Sequence, residues 1–209
     1  MTSHFTLLIL NLLSKSALII FVRNPEKGKV KTRIAATAGD DIALNIYRKL
    51  LDHTHKITAD LSLEKFVYYD GFIGENDVWS SGGFKPRLQH NSTDLGERMK
   101  HAFENTFAEG YSHVCIIGSD CIGLTGAQLQ DAFLQLDSTD IVIGPSLDGG
   151  YYLLGMKKLY PFLFENKIWS TDKVASDTLD DAVRHSLSYI LLQPLSDIDT
   201  MEDWLQYQP

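Results

Sequence analysis

The residues that could do chemistry in this 209-residue chain are acids behind apolar runs and one cluster of cations. Asp120 follows the run 114–118 (VCIIG) and Ser119. Asp148 opens the turn Asp148-Gly149-Gly150-Tyr151, just after 141–144 (IVIG) and Pro145. Arg23, Lys27, Lys29, Lys31 and Arg33 place five cations within eleven positions of a chain whose formal net charge is −8. A carboxylate at the end of a buried strand suits a hard cation such as Mg²⁺ or Mn²⁺, which one or two carboxylates hold together with substrate phosphates. A cationic loop marked by Pro25 and Gly28 suits phosphate, through charge and through backbone N–H groups. Adjacent glycines let a backbone approach a ligand closely or take positive φ. Together these features fit a metal–diphosphate site, where positioning and charge neutralisation supply most of the catalysis.

Each feature also has a plainer reading, and spacing alone leaves both open. Asp120 reads as a metal ligand or a cap, the DGG triplet as a close approach or a turn, and the cations as a phosphate loop or a solvated one. Asp94 with Glu97 three residues on has capping-box spacing, so it reads equally as a cap or a ligand contact. Asp197 reads as a cap of the last helix. Other chemistries are not supported. The chain has neither GxSxG, GxGxxG nor a Walker GxxxxGK[ST] segment. The histidines lack zinc-ligand spacing, and His53 and His55 do not share a helix face. Cys121 sits beside Asp120, whose charge would raise its pKa, which argues against a nucleophile.

These residues need elements to position them. Short apolar runs bounded by turn residues read as strands buried on both faces: 17–22, 66–69, 86–90, 114–118, 141–144, 151–156 and 189–192. Helical spacing predicts helices over 40–61, from Asp94 to about 109, from Thr125 with Leu129, Ala132, Phe133 and Leu136 on one face, over 172–185 capped by Thr171 or Ser170, and over 201–207. Strands alternating with helices predict a three-layer α/β/α sandwich with a mostly parallel sheet. The strand after Gly150 follows too soon for a helical crossover, so a mixed sheet is expected. Ligands in such sheets bind beyond the carboxyl ends of the strands, where Asp120 and Asp148 fall.

Composition bounds the rest. Hydrophobic residues make up 44% and charged residues 22%, ordinary for one globular domain. The acidic balance argues against nucleic acid as a partner. Two cysteines, one in a predicted buried strand, suggest reduced thiols and a cytoplasmic protein. The apolar stretch 5–13 is short for a membrane span and lacks signal-peptide features. Residues 1–16 are therefore read as an N-terminal extension, and 17–209 as one domain.

Six segments carry a further signal: 21–33 (FVRNPEKGKVKTR), 88–99 (LQHNSTDLGERM), 116–124 (IIGSDCIGL), 144–155 (GPSLDGGYYLLG), 168–171 (IWST) and 197–203 (DIDTMED). In this order they resemble the signature blocks of the bacterial DUF2064 family, assigned to the nucleotide-diphospho-sugar transferase superfamily with its glycosyltransferase-A fold. The resemblance implies nucleotide binding by Arg23, Gly28, Lys31, Arg33 and Ser119, and a metal, Mg²⁺ or Mn²⁺, on Asp120. It implies substrate binding by Asp94, Asp148, Gly149, Gly150, Tyr151 and Trp169, with Asp120, Asp148 and Lys31 as the catalytic set. The DT-x-ED block is similar to that of CMP-Kdo synthetase, which implies a second metal carboxylate at Asp199. The chain departs from the family pattern at Ile122, where Pro is common, and in its first sixteen residues.

The expected activity is a metal-dependent transferase using a nucleotide-diphosphate sugar and a small-molecule acceptor. One alternative is a nucleotidyltransferase that makes an activated small molecule from a nucleoside triphosphate with release of pyrophosphate. Another is a non-catalytic nucleotide-binding regulatory module. The sequence names neither the base, the sugar, the acceptor nor the oligomeric state. Acceptor specificity is expected in 72–85 and around Trp169, where loop composition is free to vary.

Overall fold

The apolar runs become the strands of one seven-stranded sheet in a computed structural model that describes residues 15–207. They are β1 (Ser16–Val22), β2 (Glu64–Tyr69), β3 (Phe84–Leu88), β4 (His113–Ile117), β5 (Ile141–Pro145), β6 (Tyr151–Met156) and β7 (Tyr189–Leu191), in the order β3-β2-β1-β4-β6-β5-β7. All neighbouring pairs are parallel except those of β6, which runs against both β4 and β5. The sheet is thus mostly parallel and mixed. The segments either side of the central helix are not neighbours, because the β5–β6 hairpin inserts β6 between β4 and β5.

Helices cover both faces, and each strand side chain alternates between two cores. Leu18, Ile20 and Ile117 face the core under α1 (Thr32–Ala38), α2 (Asp40–Ala59), α4 (Gly126–Leu136) and α6 (Met201–Gln206). Ile19, Phe66 and Ile116 face the core under α3 (Leu95–Ala108), the 3-10 turn Pro161–Phe164 and α5 (Val174–Arg184). Ile19 lies in register with both Phe66 and Ile116, so three large side chains stack across the sheet with almost no exposure. Each such burial stabilises by roughly 1.5–3 kcal/mol. The three layers are those the alternation of elements predicts.

Local signals explain most helix boundaries. Thr125 caps α4 in a reciprocal box with Gln128, and Leu129, Ala132, Phe133 and Leu136 are its buried face. Three local expectations are corrected. Thr32 and Arg33, read as the end of the basic loop, open helix α1, which was not expected; only Ile34 is buried there, so no apolar period announces it. The cap of α5 is Lys173, with no side-chain hydrogen bond, because Thr171 instead donates to the Ile168 carbonyl. Thr200, boxed with Asp203, caps α6, which leaves Asp197 free for another role. Of the extension read over residues 1–16, residues 1–14 lie outside the described residues, and Ser16 already belongs to β1. Among the described residues no helix is long and apolar enough to cross a membrane.

Candidate active site

The carboxyl edge of the sheet gathers the acids and cations from distant parts of the chain. Lys31 ends the basic loop in a left-handed conformation (φ 44°, ψ 51°), and its carbonyl accepts from the Ala35 amide as α1 begins. This sharp turn sends the side chain inward rather than out to solvent. Its ammonium lies 3.0 Å from Asp120 Oδ2 and 3.0 Å from Asp199 Oδ1. Arg33 reaches the other oxygen, Asp199 Oδ2, at 3.0 Å. The Lys31 side chain is only 8% exposed, whereas those of Asp120 and Asp199 remain 38% and 40% exposed. The acids therefore present an open side to solvent while their cation sits beneath.

The backbone explains why Asp199 comes here. After β7 the chain continues alongside β5, where the Leu192 amide donates to the Ile143 carbonyl and Leu195 exchanges bonds with Pro145 and Leu147. The Ile198 amide then donates to the Asp120 carbonyl at 3.0 Å. That one bond fixes the 197–199 segment against the end of β4. Burial alone would lower the Lys31 pKa, but the charges of Asp120 and Asp199 and their hydrogen bonds overcome it, and the net shift is upward. Lys31 stays charged.

Asp197 is the residue that the sequence reading misplaced. Its Oδ2 accepts from Ser146 Oγ at 2.9 Å, while its buried Oδ1 has no hydrogen-bond partner. Burial, then the Asp120 charge, then Asp148, push its carboxyl up to about 7 against the opposing help of Ser146 and Lys31. Asp197 thus shares this edge with Asp120, Asp148 and Asp199, and its burial holds its carboxyl above the ordinary carboxylate range.

The β5–β6 turn carries Asp148, exposed, with its Oδ1 accepting from the Gly150 amide at 3.0 Å. Gly149 has φ 91°, and a Cβ there would come within 2.1 Å of the Asp172 carbonyl oxygen. The turn is therefore locked on the segment that leads into α5, and only glycine fits. Of the other nucleotide-side residues, Ser119 is buried with its hydroxyl 3.2 Å from Tyr47 Oη, which also receives the Arg23 amide. Gly28 takes φ 78° beside Asp40. Lys27 and Lys29 pair with exposed Asp41 and Glu26, so the loop's five cations are not equivalent.

The residues expected to meet a second substrate lie on the other face of the same edge. Asp94 caps α3 by accepting from the Glu97 amide, but Glu97 turns to Ser92 Oγ instead of closing the box. Trp169 packs on Gly96, where a Cβ would lie 2.4 Å from its Nε1, an atom buried without a partner. Tyr151 packs into the α3-side core, its hydroxyl 3.8 Å from Met99 Sδ. Sequence reading passed over Gln89 and Arg98 in this region. Gln89 donates to the Val22 and Tyr68 carbonyls and accepts from Arg98 at 3.0 Å, joining the ends of β1 and β2 to α3. Burial and then the nearby Arg23 charge pull the Arg98 pKa down. A cleft of about 580 Å³ opens beside β1 and β2, walled by Arg23, Arg48, Tyr69 and Trp79.

Neither thiol is poised to react. Both cysteines are buried and free, and burial, then Asp197 and Asp120, push Cys121 up to about 12. Among the described residues no group of three or more His, Cys, Asp or Glu side chains is arranged to hold a metal. Asp120 and Asp199 do converge on one point, at present filled by the Lys31 ammonium. Two carboxylates of this kind fit the sparse oxygen set that Mg²⁺ or Mn²⁺ completes with substrate phosphates.

Comparisons with known proteins show the family of the chain. The family model described as "Uncharacterized protein conserved in bacteria (DUF2064)" matches residues 53–171, more than half of the chain. A "putative nucleotide-diphospho-sugar transferase" from Desulfovibrio desulfuricans G20 has 33% identity and a TM-score of 0.85, over 94% of this chain and 87% of that chain. A 4-diphosphocytidyl-2C-methyl-D-erythritol synthase from Anaerococcus prevotii has 11% identity and a TM-score of 0.63, over 92% and 94%. CMP:2-keto-3-deoxy-manno-octonic acid synthetase in complex with CTP has 9% identity and a TM-score of 0.55, over 92% and 96%. At those identities the last two share the fold. No curated protein matches the sequence.

Proposed function

We propose, for a chain that belongs to the DUF2064 family, a transferase that uses a nucleotide-activated substrate at the carboxyl edge of the sheet. The finer reading is transfer of a sugar from a nucleotide-diphosphate sugar to a small-molecule acceptor. The observation that carries it is the convergence of Lys31 and Arg33 with Asp120 and Asp199, from three separate segments, at one solvent-open point. The 33% identical relative, described as a "putative nucleotide-diphospho-sugar transferase", supports the same reading.

In such a transfer the acceptor hydroxyl attacks the anomeric carbon, and the bond from that carbon to the diphosphate oxygen breaks. Negative charge grows on the departing nucleoside diphosphate, and Lys31, Arg33 and Arg23 supply fixed positive charge for it. Asp148, exposed on its locked turn, takes the acceptor proton. Asp120 and Asp199 would hold a divalent cation, which would supply further charge neutralisation at the diphosphate. Trp169 and Asp94 lie on the face left for the acceptor.

A second reading, nucleotidyl transfer with pyrophosphate release, is favoured by the shared fold with two synthetases of cytidylyl compounds. Against it, Lys27 and Lys29 are already paired with acids, so fewer loop cations are free for a triphosphate. The test incubates the protein with Mn²⁺ and panels of nucleotide sugars and of nucleoside triphosphates plus sugar phosphates. The sugar-transfer reading expects nucleoside diphosphate to appear with the first panel. Pyrophosphate from the second would replace it with the alternative. Nucleotide binding with no turnover in either would leave a regulatory module.

A further inference from the structure

Lys31 fills the one point on which the two candidate metal carboxylates converge. Its Nζ lies 3.0 Å from an oxygen of Asp120 and 3.0 Å from an oxygen of Asp199, with the side chain 8% exposed. The left-handed backbone at Lys31 and the turn of α1 behind it aim the side chain at this point. Among the described residues no cation other than Lys31 bridges the two carboxylates. Arg33 reaches Asp199 alone, and among the described residues Asp120 pairs with no cation besides Lys31. A divalent ion cannot bind the facing oxygens while an ammonium sits between them, because two cations at contact distance from the same two oxygens repel each other strongly in a half-buried site.

We infer that Lys31 and a divalent cation are alternative occupants of the Asp120–Asp199 pair, so that the free ion binds only by displacing Lys31 and a cation carried on a polyphosphate binds more tightly. The inference rests on the proposed transferase reading. Free metal must compete with an ammonium tethered in place, and displacing it leaves the buried Lys31 side chain without its partners. A polyphosphate brings both remedies at once. It completes the cation's oxygen shell, and it offers Lys31 new negative oxygens within reach of the loop. Linkage then requires that phosphate and cation each raise the other's affinity, with Lys31 as the element that both bias. The same arrangement keeps the pair from trapping stray divalent ions, and it keeps two repelling carboxylates together in the free protein.

The first test needs no variant. Lys31 of the full chain is labelled with acetic anhydride and read by mass spectrometry, with and without Mn²⁺ sufficient to saturate binding measured by electron paramagnetic resonance. Displacement predicts that saturating Mn²⁺ raises Lys31 labelling at least threefold, while Lys27, paired elsewhere, does not change. Unchanged or reduced labelling of Lys31 at saturating Mn²⁺ overturns the inference. The second test compares Mn²⁺ affinity of the wild type and Lys31→Met. The variant is expected to bind free Mn²⁺ at least tenfold more tightly, and circular dichroism checks that it is folded. Equal or weaker binding by the folded variant overturns the inference. Absence of Mn²⁺ binding by both proteins also overturns it, together with the carboxylate pair as a cation site. Nucleotide-sugar turnover is scored separately, so the transferase reading can fail or stand on its own result.

Discussion

Two buried lysines sit at opposite edges of the same sheet and are treated differently. Lys65, at the start of β2, donates to the Ala59 and Leu61 carbonyls at 2.8 and 3.2 Å and lies 5.3 Å from the Phe84 ring centre. Its partners are neutral dipoles just past the end of α2, close in sequence and held by the helix itself. Lys31 meets two carboxylates that lie 89 and 168 positions away and keep an open side to solvent. The first arrangement closes a structure. The second gathers charge at a point where the fold gains little from it, and leaves that charge accessible. Burial of an amine alone does not mark a function; the kind, distance and openness of its partners do.

Substitution should separate the two lysines. Lys31→Met is expected to lower the transfer rate by about 10²–10³, the usual scale for loss of a charge aimed at the departing group. It should cost only about 1–2 kcal/mol of stability, because both partner acids are partly hydrated. Lys65→Met should do the reverse. It leaves two carbonyls without their donor, a loss of about 1–3 kcal/mol, with the rate per folded molecule unchanged. Steady-state rates and urea melts on the two variants read both effects. If Lys65→Met slows transfer as much as Lys31→Met does, the contrast between the edges is wrong.

A smaller effect sharpens the comparison within the site. Asp197 has its pKa raised to about 7 in the folded protein, above its ordinary value of 3.8. The unfolded chain therefore gives up this proton first as pH rises. Through this group, stability should fall from about pH 4 to about pH 7 and level off above, the opposite of an acid held by a salt bridge. Asp197→Asn should remove that decline and be the more stable protein at pH 8. Melting temperatures of both proteins across this range check it, and parallel curves would show that Asp197 does not titrate as stated.

Much of the framework was legible because it is written in short-range patterns. Buried strands appear as continuous apolar runs, and the α4 cap and its buried face can be read directly from Thr125, Gln128 and the spacing of Leu129 to Leu136. The antiparallel β6 could be expected from the brevity of the Asp148–Gly150 connection. Strand order could not, since nothing local says that β6 inserts between β4 and β5. Helix α1 was hidden because it buries one residue. At the site, Asp120 and the cationic loop stood out by position, whereas the place of Asp199 came from resemblance to a family block. The misreading of Asp197 has a physical cause. An acid four residues before a helix looks like a cap, and the Ile198–Asp120 backbone bond, which no sequence window contains, holds this segment at the end of β4. The seat that Gln89 makes for Arg98 depends on carbonyls from two other strands, which no sequence window contains.

The central claim is that Asp120 works as a charge at the edge and not as a cap. It is tested most directly by titrating a panel of nucleotides and nucleotide sugars into wild type and Asp120→Asn, each with Mn²⁺ and with chelator, by calorimetry. Asparagine keeps the size and capping ability of aspartate but not its charge. The account predicts that the metal-dependent part of the affinity falls at least about tenfold, or about 1.4 kcal/mol, while the melting temperature without ligand barely changes. Equal metal-dependent affinity in the two proteins would contradict it.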